Sequence, residues 1–140
     1  MTTKPPKKKR ALPFKATRKH HGTEAAEDYT ELIGDLIAEK GEARTCAIAA
    51  QLGISHVTAL ITIRILLDLV YLSTFLHLPV VLTPKGEKLG QFAKHRHELL
   101  VSFFTRIGVS ARQAEIDVEG AEHHISEETL ACLERMLRSK

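Results

Sequence analysis

Carboxylate and imidazole side chains recur in this sequence at spacings that a helix would bring together. Glu119, Glu122 and His123 stand at positions i, i+3 and i+4, so in a helix all three point to one side. Asp28 and Glu31 lie three residues apart, which again places both on one helical face. Oxygen and imidazole-nitrogen ligands suit Mn²⁺ or Fe²⁺. These residues could hold a metal ion, although acidic pairs on a helix are more often simply solvated.

The remaining polar residues argue against other kinds of site. His95 and His97 lie between the two acidic motifs, and Cys46 and Cys132 are isolated in the sequence. Cysteines without a CxxC partner favour neither a thiolate zinc site nor a disulfide framework. The carboxylates could serve a binuclear hydrolase, but no motif supplies a nucleophile, an oxyanion hole or a substrate pocket. We therefore expect a protein that is not an enzyme and has no small-molecule substrate.

Helical periodicity accounts for the elements that would position these residues. Apolar spacing predicts one helix over residues 24–40 and a second over residues 44–52, each followed by a glycine. Ser55 is a suitable N-cap for a third helix that ends near residue 69. This order is typical of a helix-turn-helix. Residues 71–82 are rich in apolar and β-branched side chains and predict a short hairpin, the wing of a winged helix.

Three further helices follow the predicted wing. The first begins at Thr83-Pro84 and runs to about Ile107, the second is capped by Ser110, and the third is capped by Ser126. Their apolar residues exceed what three helices can bury alone, which favours a homodimer. These residues are Phe92, Leu99, Leu100, Phe103, Phe104, Ile107, Leu130, Leu133 and Leu137. The expected fold is mainly α: an N-terminal winged helix-turn-helix followed by an α-helical dimerisation and metal-binding domain.

Charge is unevenly distributed along the 140 residues, whose net charge is +3. Residues 1–19 contain no acid and eight basic residues: Lys4, Lys7, Lys8, Lys9, Arg10, Lys15, Arg18 and Lys19. We expect a disordered basic tail over residues 1–23, a winged helix-turn-helix domain over 24–90 and a helical domain over 91–140. The tail is either simply solvated or held near nucleic-acid phosphates. No apolar signal-peptide region opens the chain, so a cytoplasmic location is expected.

From about residue 25 onwards, the sequence resembles the manganese transport regulators, a branch of the diphtheria-toxin-repressor family. The matching segments are EDYTELI, residues 41–55, LTPKGEKLG, RHELL and DVEGAEHHISEETL. The resemblance implies a manganese-responsive repressor of manganese-uptake genes that binds a double-stranded DNA operator as a homodimer. It also implies a set of metal ligands: Asp28, Glu31, His97, Glu119, Glu122 and His123.

Manganese is the metal that the resemblance favours, because iron-responsive relatives place sulfur ligands where this chain has Asp28 and Glu122. Four carboxylates balance two divalent cations, so we expect two Mn²⁺ per subunit. Fe²⁺, Zn²⁺ or Cd²⁺ can also bind in vitro, since intrinsic affinity follows the Irving–Williams order. The sequence as given ends after the dimerisation helices, so we expect no SH3-like domain of the iron-responsive type. Metal would draw the two halves of the chain together and act as corepressor.

The predicted recognition helix departs from the family pattern. Between Ala59 and Leu82 the formal charges are Arg64 and Asp68, where relatives carry several Arg, Lys or Gln residues and a glycine in place of Val70. If Ala59, Ile63, Leu66 and Val70 form the core stripe, many apolar residues fall outside it: Leu60, Ile61, Ile65, Leu67 and Leu69. The polar residues left as DNA contacts are Ser55, His56, Thr58, Thr62 and Arg64.

Three explanations of this apolar stretch remain open. A membrane span is disfavoured by Arg64, Asp68 and Pro79, since each charge at mid-membrane costs about 3 kcal/mol. Several of the departures could also arise from a change of the middle codon base to T, which would make the chain a sequence variant. Finally, an apolar face could bind another protein. The alternative to a repressor is therefore a metal-binding homodimer that has lost or weakened DNA reading and acts through protein contacts.

Overall fold

The computed structural model describes residues 11–74 and 78–139, with residues 11–22 described as helical backbone. This part of the chain contains α1 (Ala11–Lys40), α2 (Thr45–Leu52), α3 (His56–Asp68), β1 (Leu72–Ser73), β2 (Val81–Leu82), α4 (Pro84–Arg106), α5 (Ala111–Ala121), a 3-10 turn (Glu122–His124) and α6 (Glu127–Arg138). The described residues form two compact units. The winged-helix unit comprises Ala25–His95, and the helical unit comprises Arg96–Lys140 together with the residues up to Glu24.

The helix-turn-helix of the winged-helix unit is fixed by local chemistry at its turn. Gly53 ends α2 in the left-handed conformation (φ 66°), which a residue without a Cβ adopts at little cost. Ser55 then caps α3 by accepting a hydrogen bond from the Thr58 backbone N–H. β1 and β2 pair antiparallel with Leu72 opposite Leu82, so the predicted hairpin is confirmed. Residues 75–77 at its tip lie outside the described residues.

The core of the winged-helix unit is aliphatic apart from one tyrosine. It is built from one face of α1, the inner residues of α2 and α3, and the wing. Its buried members are Ala26, Tyr29, Ile33, Leu36, Ala43, Ile48, Ile63, Leu66, Leu72 and Val80. Ala59 is also buried, so three of the four residues predicted for the core stripe of α3 face inwards. The fourth prediction is wrong: Val70 is 59% exposed, because the helix has already ended at Asp68.

Val70 has the unusual backbone that ends α3. Its φ is 65°, which makes it the one non-glycine residue with positive φ among those the structure describes. The Val70 N–H donates to the Leu67 carbonyl and the Tyr71 N–H to the Leu66 carbonyl, a pattern known as a Schellman motif. The Lys85 ammonium also donates to the Leu69 carbonyl at 2.9 Å. Glycine usually occupies the left-handed position of this motif, but in this chain that position holds Val70.

The first helix begins earlier than its apolar periodicity predicts, at Ala11 and not near residue 24. Pro13 is tolerated because N–H groups in the first turn of a helix have no intrahelical acceptor. Alanine, lysine and arginine, which favour helices, then outnumber other residues up to Lys19. The prediction of a disordered tail over residues 1–23 is therefore wrong for residues 11–23, while residues 1–10 lie outside the described residues.

The helical unit follows the predicted helix boundaries closely. Ser110 and Ser126 cap α5 and α6 through hydrogen bonds to the third residue beyond each serine. Buried apolar residues of the unit include Leu99, Leu100, Ala114, Val118 and Leu130. Among the described residues no single helix is long and apolar enough to cross a membrane. α2 and α3 meet the criteria only as a pair, and they are bent by 111°.

Candidate metal centre

Three of the predicted ligands converge within the helical unit. His97 lies on α4, Glu119 near the end of α5, and Glu122 at the start of the 3-10 turn. Each offers one ligand atom, and these atoms all lie within 4.8 Å of one another. Helical spacing explains how Glu119 and Glu122 share a side of α5. The packing of α4 then adds His97, which is 25 residues away from Glu122 in the sequence.

One buried member makes this cluster (His97, Glu119 and Glu122) different from a solvated acidic surface, although His97 is half-buried and Glu119 exposed. Glu122 is 1% exposed, and its Oε2 lies 2.7 Å from His97 Nδ1. A carboxylate withdrawn from water needs a compensating charge or donor. A divalent cation would provide that charge, and His97 provides a hydrogen bond in this structure.

The pKa values of the two groups reflect these surroundings. Burial raises the pKa of the Glu122 carboxyl, and the hydrogen bond from His97 opposes that rise without cancelling it. Burial acts to lower the pKa of His97, but hydrogen bonds to Glu115 and Glu122 and the charges of both carboxylates outweigh it, so this pKa is raised. His97 therefore keeps a proton to higher pH than an isolated histidine. A proton at this site competes with a metal ion for the same ring.

His123 is buried in the same unit but turns to different partners. Its Nδ1 lies 3.3 Å from Arg96 Nη2, which donates to it. Its Nε2 lies 3.6 Å from Glu122 Oε1 and 3.8 Å from Glu24 Oε1. The i, i+3, i+4 spacing thus brings His123 beside Glu122, yet the common cluster contains His97 in its place. The helix tightens into a 3-10 turn at Glu122, which changes the direction of the side chains beyond it.

The donor atoms of the cluster fit a hard or intermediate cation. They are carboxylate oxygens and one imidazole nitrogen, with no thiolate among them. Cys46 and Cys132 are exposed free thiols. Asp28 and Glu31 are half-buried on α1 in the winged-helix unit and stay predicted ligands.

Glu115 is a functional candidate that the sequence analysis missed. Its Oε2 lies 2.7 Å from His97 Nε2, on the opposite side of the ring from Glu122. Glu115 precedes Glu119 by four residues, so the helical spacing that selected the later residues would also have selected this one. Glu24, near His123, carries the same signal, because it precedes Asp28 by four residues.

The residues predicted to contact DNA lie around the start and middle of α3. Ser55, His56, Thr58 and Arg64 are exposed, and Thr62 is half-buried. Two of these side chains already bond to each other, because the Ser55 hydroxyl donates to the Thr58 hydroxyl at 2.8 Å. A DNA phosphate would have to share these hydroxyls or displace that bond.

The rest of the outer surface of α3 is apolar. Val57 is 63% exposed and Ile61 59% exposed, and between these two and Arg64 the helix presents one continuous face. Leu60, Ile65 and Leu69 flank that face and are also exposed. An open groove of about 600 Å³ runs between α3 and the wing and includes Leu78 and Val80. We call the exposed residues Val57, Leu60, Ile61, Ile65 and Leu69 the apolar face of α3.

Comparison with known proteins places these features in a family. Residues 83–139 match the family described as iron dependent repressor, metal binding and dimerisation domain. The chain is 44% identical over 117 residues to the transcriptional regulator MntR of Salmonella typhimurium, covering 84% of this chain and 74% of that protein. It is also 44% identical over 104 residues to the HTH-type transcriptional regulator MntR of Geobacillus kaustophilus, covering 74% of each.

Solved structures share the fold. One is a manganese-dependent transcriptional repressor in complex with manganese, with a TM-score of 0.73 at 25% identity, matched over 80% of this chain. The chain spans about half the length of that structure, 52%.

Proposed function

Since the chain belongs to the MntR family of transcriptional regulators, we propose that it is a manganese-responsive DNA-binding repressor of manganese-uptake genes, with Mn²⁺ as corepressor. The observation that carries the proposal is the cluster of His97, Glu119 and Glu122, whose ligand atoms lie within 4.8 Å of one another. The cluster falls in the segment that matches a metal-binding and dimerisation domain. The proposal includes a cytoplasmic location, where the protein meets the chromosome, and neither a catalytic role nor a small-molecule substrate.

The proposed ligands are the cluster together with Asp28, Glu31 and His123. Bound cations would neutralise carboxylates that otherwise repel one another. Four carboxylates are enough to balance two divalent ions, which supports two Mn²⁺ per subunit. Metal binding should depend most on Glu122, because its carboxylate is buried and lies 2.7 Å from His97 Nδ1. Fe²⁺, Zn²⁺ and Cd²⁺ would compete for the same oxygen and nitrogen atoms in vitro.

DNA binding is assigned to α3 in a homodimer. Two copies of a recognition helix about 34 Å apart enter successive major grooves of a palindromic operator. The half-buried Phe103 and the exposed Ile107 and Met136 of the helical unit leave apolar surface for a dimer interface. Metal binding would reduce the conformational freedom of the metal-free dimer and favour the form that fits DNA. A tenfold rise in operator affinity requires only about 1.4 kcal/mol of such coupling.

The apolar face of α3 supports a second candidate function. Recognition helices meet a phosphate-lined groove, and Val57, Ile61 and Ile65, each more than half exposed, offer it no hydrogen bonds. Large exposed apolar patches mark sites of protein contact, whereas protein–DNA interfaces are polar and positively charged. The second candidate is therefore a metal-binding homodimer with weakened DNA reading that acts through protein contacts.

Fluorescence anisotropy of labelled DNA from upstream of the host's manganese-transporter gene distinguishes these two functions. The assay is run with and without Mn²⁺ near physiological salt, with excess unrelated DNA, because the basic N-terminal residues can bind DNA non-specifically. Specific binding that requires Mn²⁺ is the expected result for a repressor. Manganese uptake without specific DNA binding would favour the second candidate.

A matched pair of substitutions connects that result to the metal cluster. Glu122→Gln removes the charge of the buried ligand and should abolish the effect of Mn²⁺ on DNA affinity. Glu128→Gln changes an exposed carboxylate in the first turn of α6 and should leave the effect intact. A Glu122→Gln variant that responds to Mn²⁺ like the wild type would contradict the proposed site.

A further inference from the structure

The ring of His97 is held between two carboxylates with different surroundings. Nδ1 lies 2.7 Å from Glu122 Oε2 and Nε2 lies 2.7 Å from Glu115 Oε2. The Glu122 side chain is 2% exposed, whereas that of Glu115 is 58% exposed. Only Glu122 shares the cluster of ligand atoms with Glu119. The two nitrogens of one ring therefore face two distinct environments, the cluster of ligand atoms on one side and a solvent-exposed carboxylate on the other.

A neutral imidazole can bind a cation only through the nitrogen that lacks a proton. We propose that Glu115 is a positioning residue for metal binding: it accepts the Nε2–H of His97 and so leaves the Nδ1 lone pair directed at the cluster. This inference rests on the proposed function, since it concerns the same metal centre. Carboxylates in this role fix the tautomer and orientation of a ligating histidine and make it a better donor.

The backbone supports this division of roles. Glu115, Glu119 and Glu122 stand at i, i+4 and i+7, so they follow one side of α5. Glu115 lies one helical turn before Glu119, and its carboxylate oxygens are not among the ligand atoms of the cluster. It reaches the centre through His97.

The test uses the full chain and Mn²⁺ alone as the probe. Free Mn²⁺ is measured by electron paramagnetic resonance during titration of the wild type, Glu115→Ala, Glu115→Gln and Asp117→Asn. Glu115→Ala should weaken Mn²⁺ binding about tenfold, the lower end of the range for such partners because the carboxylate is largely exposed. Glu115→Gln should lose less Mn²⁺ affinity than Glu115→Ala, since its amide oxygen still accepts the Nε2–H of His97. Asp117→Asn removes the same charge from α5, at a residue bonded to Gln113, and should match the wild type.

Two further measurements separate positioning from a general effect of charge or folding. In a His97→Ala background, adding Glu115→Ala should weaken Mn²⁺ binding no further, because the partner of Glu115 is already absent. In the metal-free ring Nδ1 also faces the Glu122 carboxylate, so nitrogen-15 spectra are recorded with diamagnetic Zn²⁺ bound. They should show His97 of the wild type protonated at Nε2, with no proton on Nδ1.

Each possible result decides a particular claim. The role of Glu115 would be overturned by any of three results: unchanged Mn²⁺ affinity in Glu115→Ala, an undiminished loss of affinity in the His97→Ala background, or a Zn²⁺-loaded wild-type ring protonated at Nδ1. If the wild type itself takes up no Mn²⁺, the proposed metal centre fails first and the role of Glu115 falls with it. Because that failure is visible in the wild type, it is distinguishable from a failure of Glu115 alone.

Discussion

Replacing Val70 by glycine should stabilise this protein, because the backbone at Val70 suits glycine better than valine. Val70 has a φ of 65°, in the left-handed region that a β-branched side chain rarely occupies. It sits where the chain leaves α3, and the hydrogen bonds of Val70 and Tyr71 to the last turn of the helix fix this conformation. The strain therefore cannot relax without the loss of the helix end.

The magnitude follows from two opposing effects. The left-handed conformation costs a residue with a Cβ about 1–2 kcal/mol, and glycine removes this cost. Glycine also gives the unfolded chain more freedom, which reduces the gain by about 0.4–1 kcal/mol. Little burial is lost, since Val70 is 59% exposed. The expected net increase in the free energy of unfolding is about 0.5–1 kcal/mol, equivalent to a rise in Tm of about 2–8 °C for a unit of this size.

Urea denaturation and thermal unfolding, both followed by circular dichroism, measure this change. Val70→Ala keeps a Cβ and should recover only a minor part of the gain. Val57→Gly alters an equally exposed valine within α3 and should lower stability by roughly 0.5 kcal/mol, through helix propensity. If Val70→Gly is no more stable than the wild type, or if Val70→Ala gains as much, left-handed strain is not the cause.

Three other expectations concern packing, charge and DNA contact. A Cβ on Gly90 would lie 2.8 Å from a backbone carbonyl oxygen of α1, so Gly90→Ala should cost about 1–2 kcal/mol in the free energy of unfolding; Gly120→Ala, with open space around it, should gain about 0.5–1 kcal/mol. Denaturation curves that rank these variants the other way would refute the close approach. The pKa of His97 is raised above its ordinary 6.5, so its stabilising contribution to the metal-free protein is full below pH 6.5 and is lost as pH rises through the folded-state pKa. The stability difference between wild type and His97→Gln should therefore be larger at pH 5.5 than at pH 8.5, and a constant difference would contradict the raised pKa. Finally, if the apolar face of α3 meets DNA phosphates, Ile61→Lys should tighten DNA binding and steepen its dependence on log salt by about 0.9, whereas Ile107→Lys in the helical unit should have less effect. Equal salt slopes for the wild type, Ile61→Lys and Ile107→Lys would place Ile61 away from the phosphates.

The helix ends that the sequence predicts correctly are those where local chemistry is sufficient. Ser55, Ser110 and Ser126 each cap a helix at the predicted position, because a cap bonds to a backbone N–H only a few residues away. The first helix was predicted too short, because its N-terminal segment lacks the apolar stripe on which the prediction relied. Helix propensity can extend a helix where no amphipathic pattern marks it.

By itself, the sequence determined which residues share a helical side. Glu119 and Glu122 stand three residues apart, and helical geometry brings such residues together whatever the fold. Only the tertiary structure decided that His97 of α4 meets Glu122, that Glu115 holds the other side of its ring, and that His123 turns to Arg96. Those contacts join residues that are 18 to 27 positions apart in the sequence. Helix packing determines which side chains meet at such separations, and local spacing does not encode it. The left-handed bend at Val70 was also visible only in the structure. The hydrogen bonds at the end of α3 impose there a conformation that valine itself disfavours.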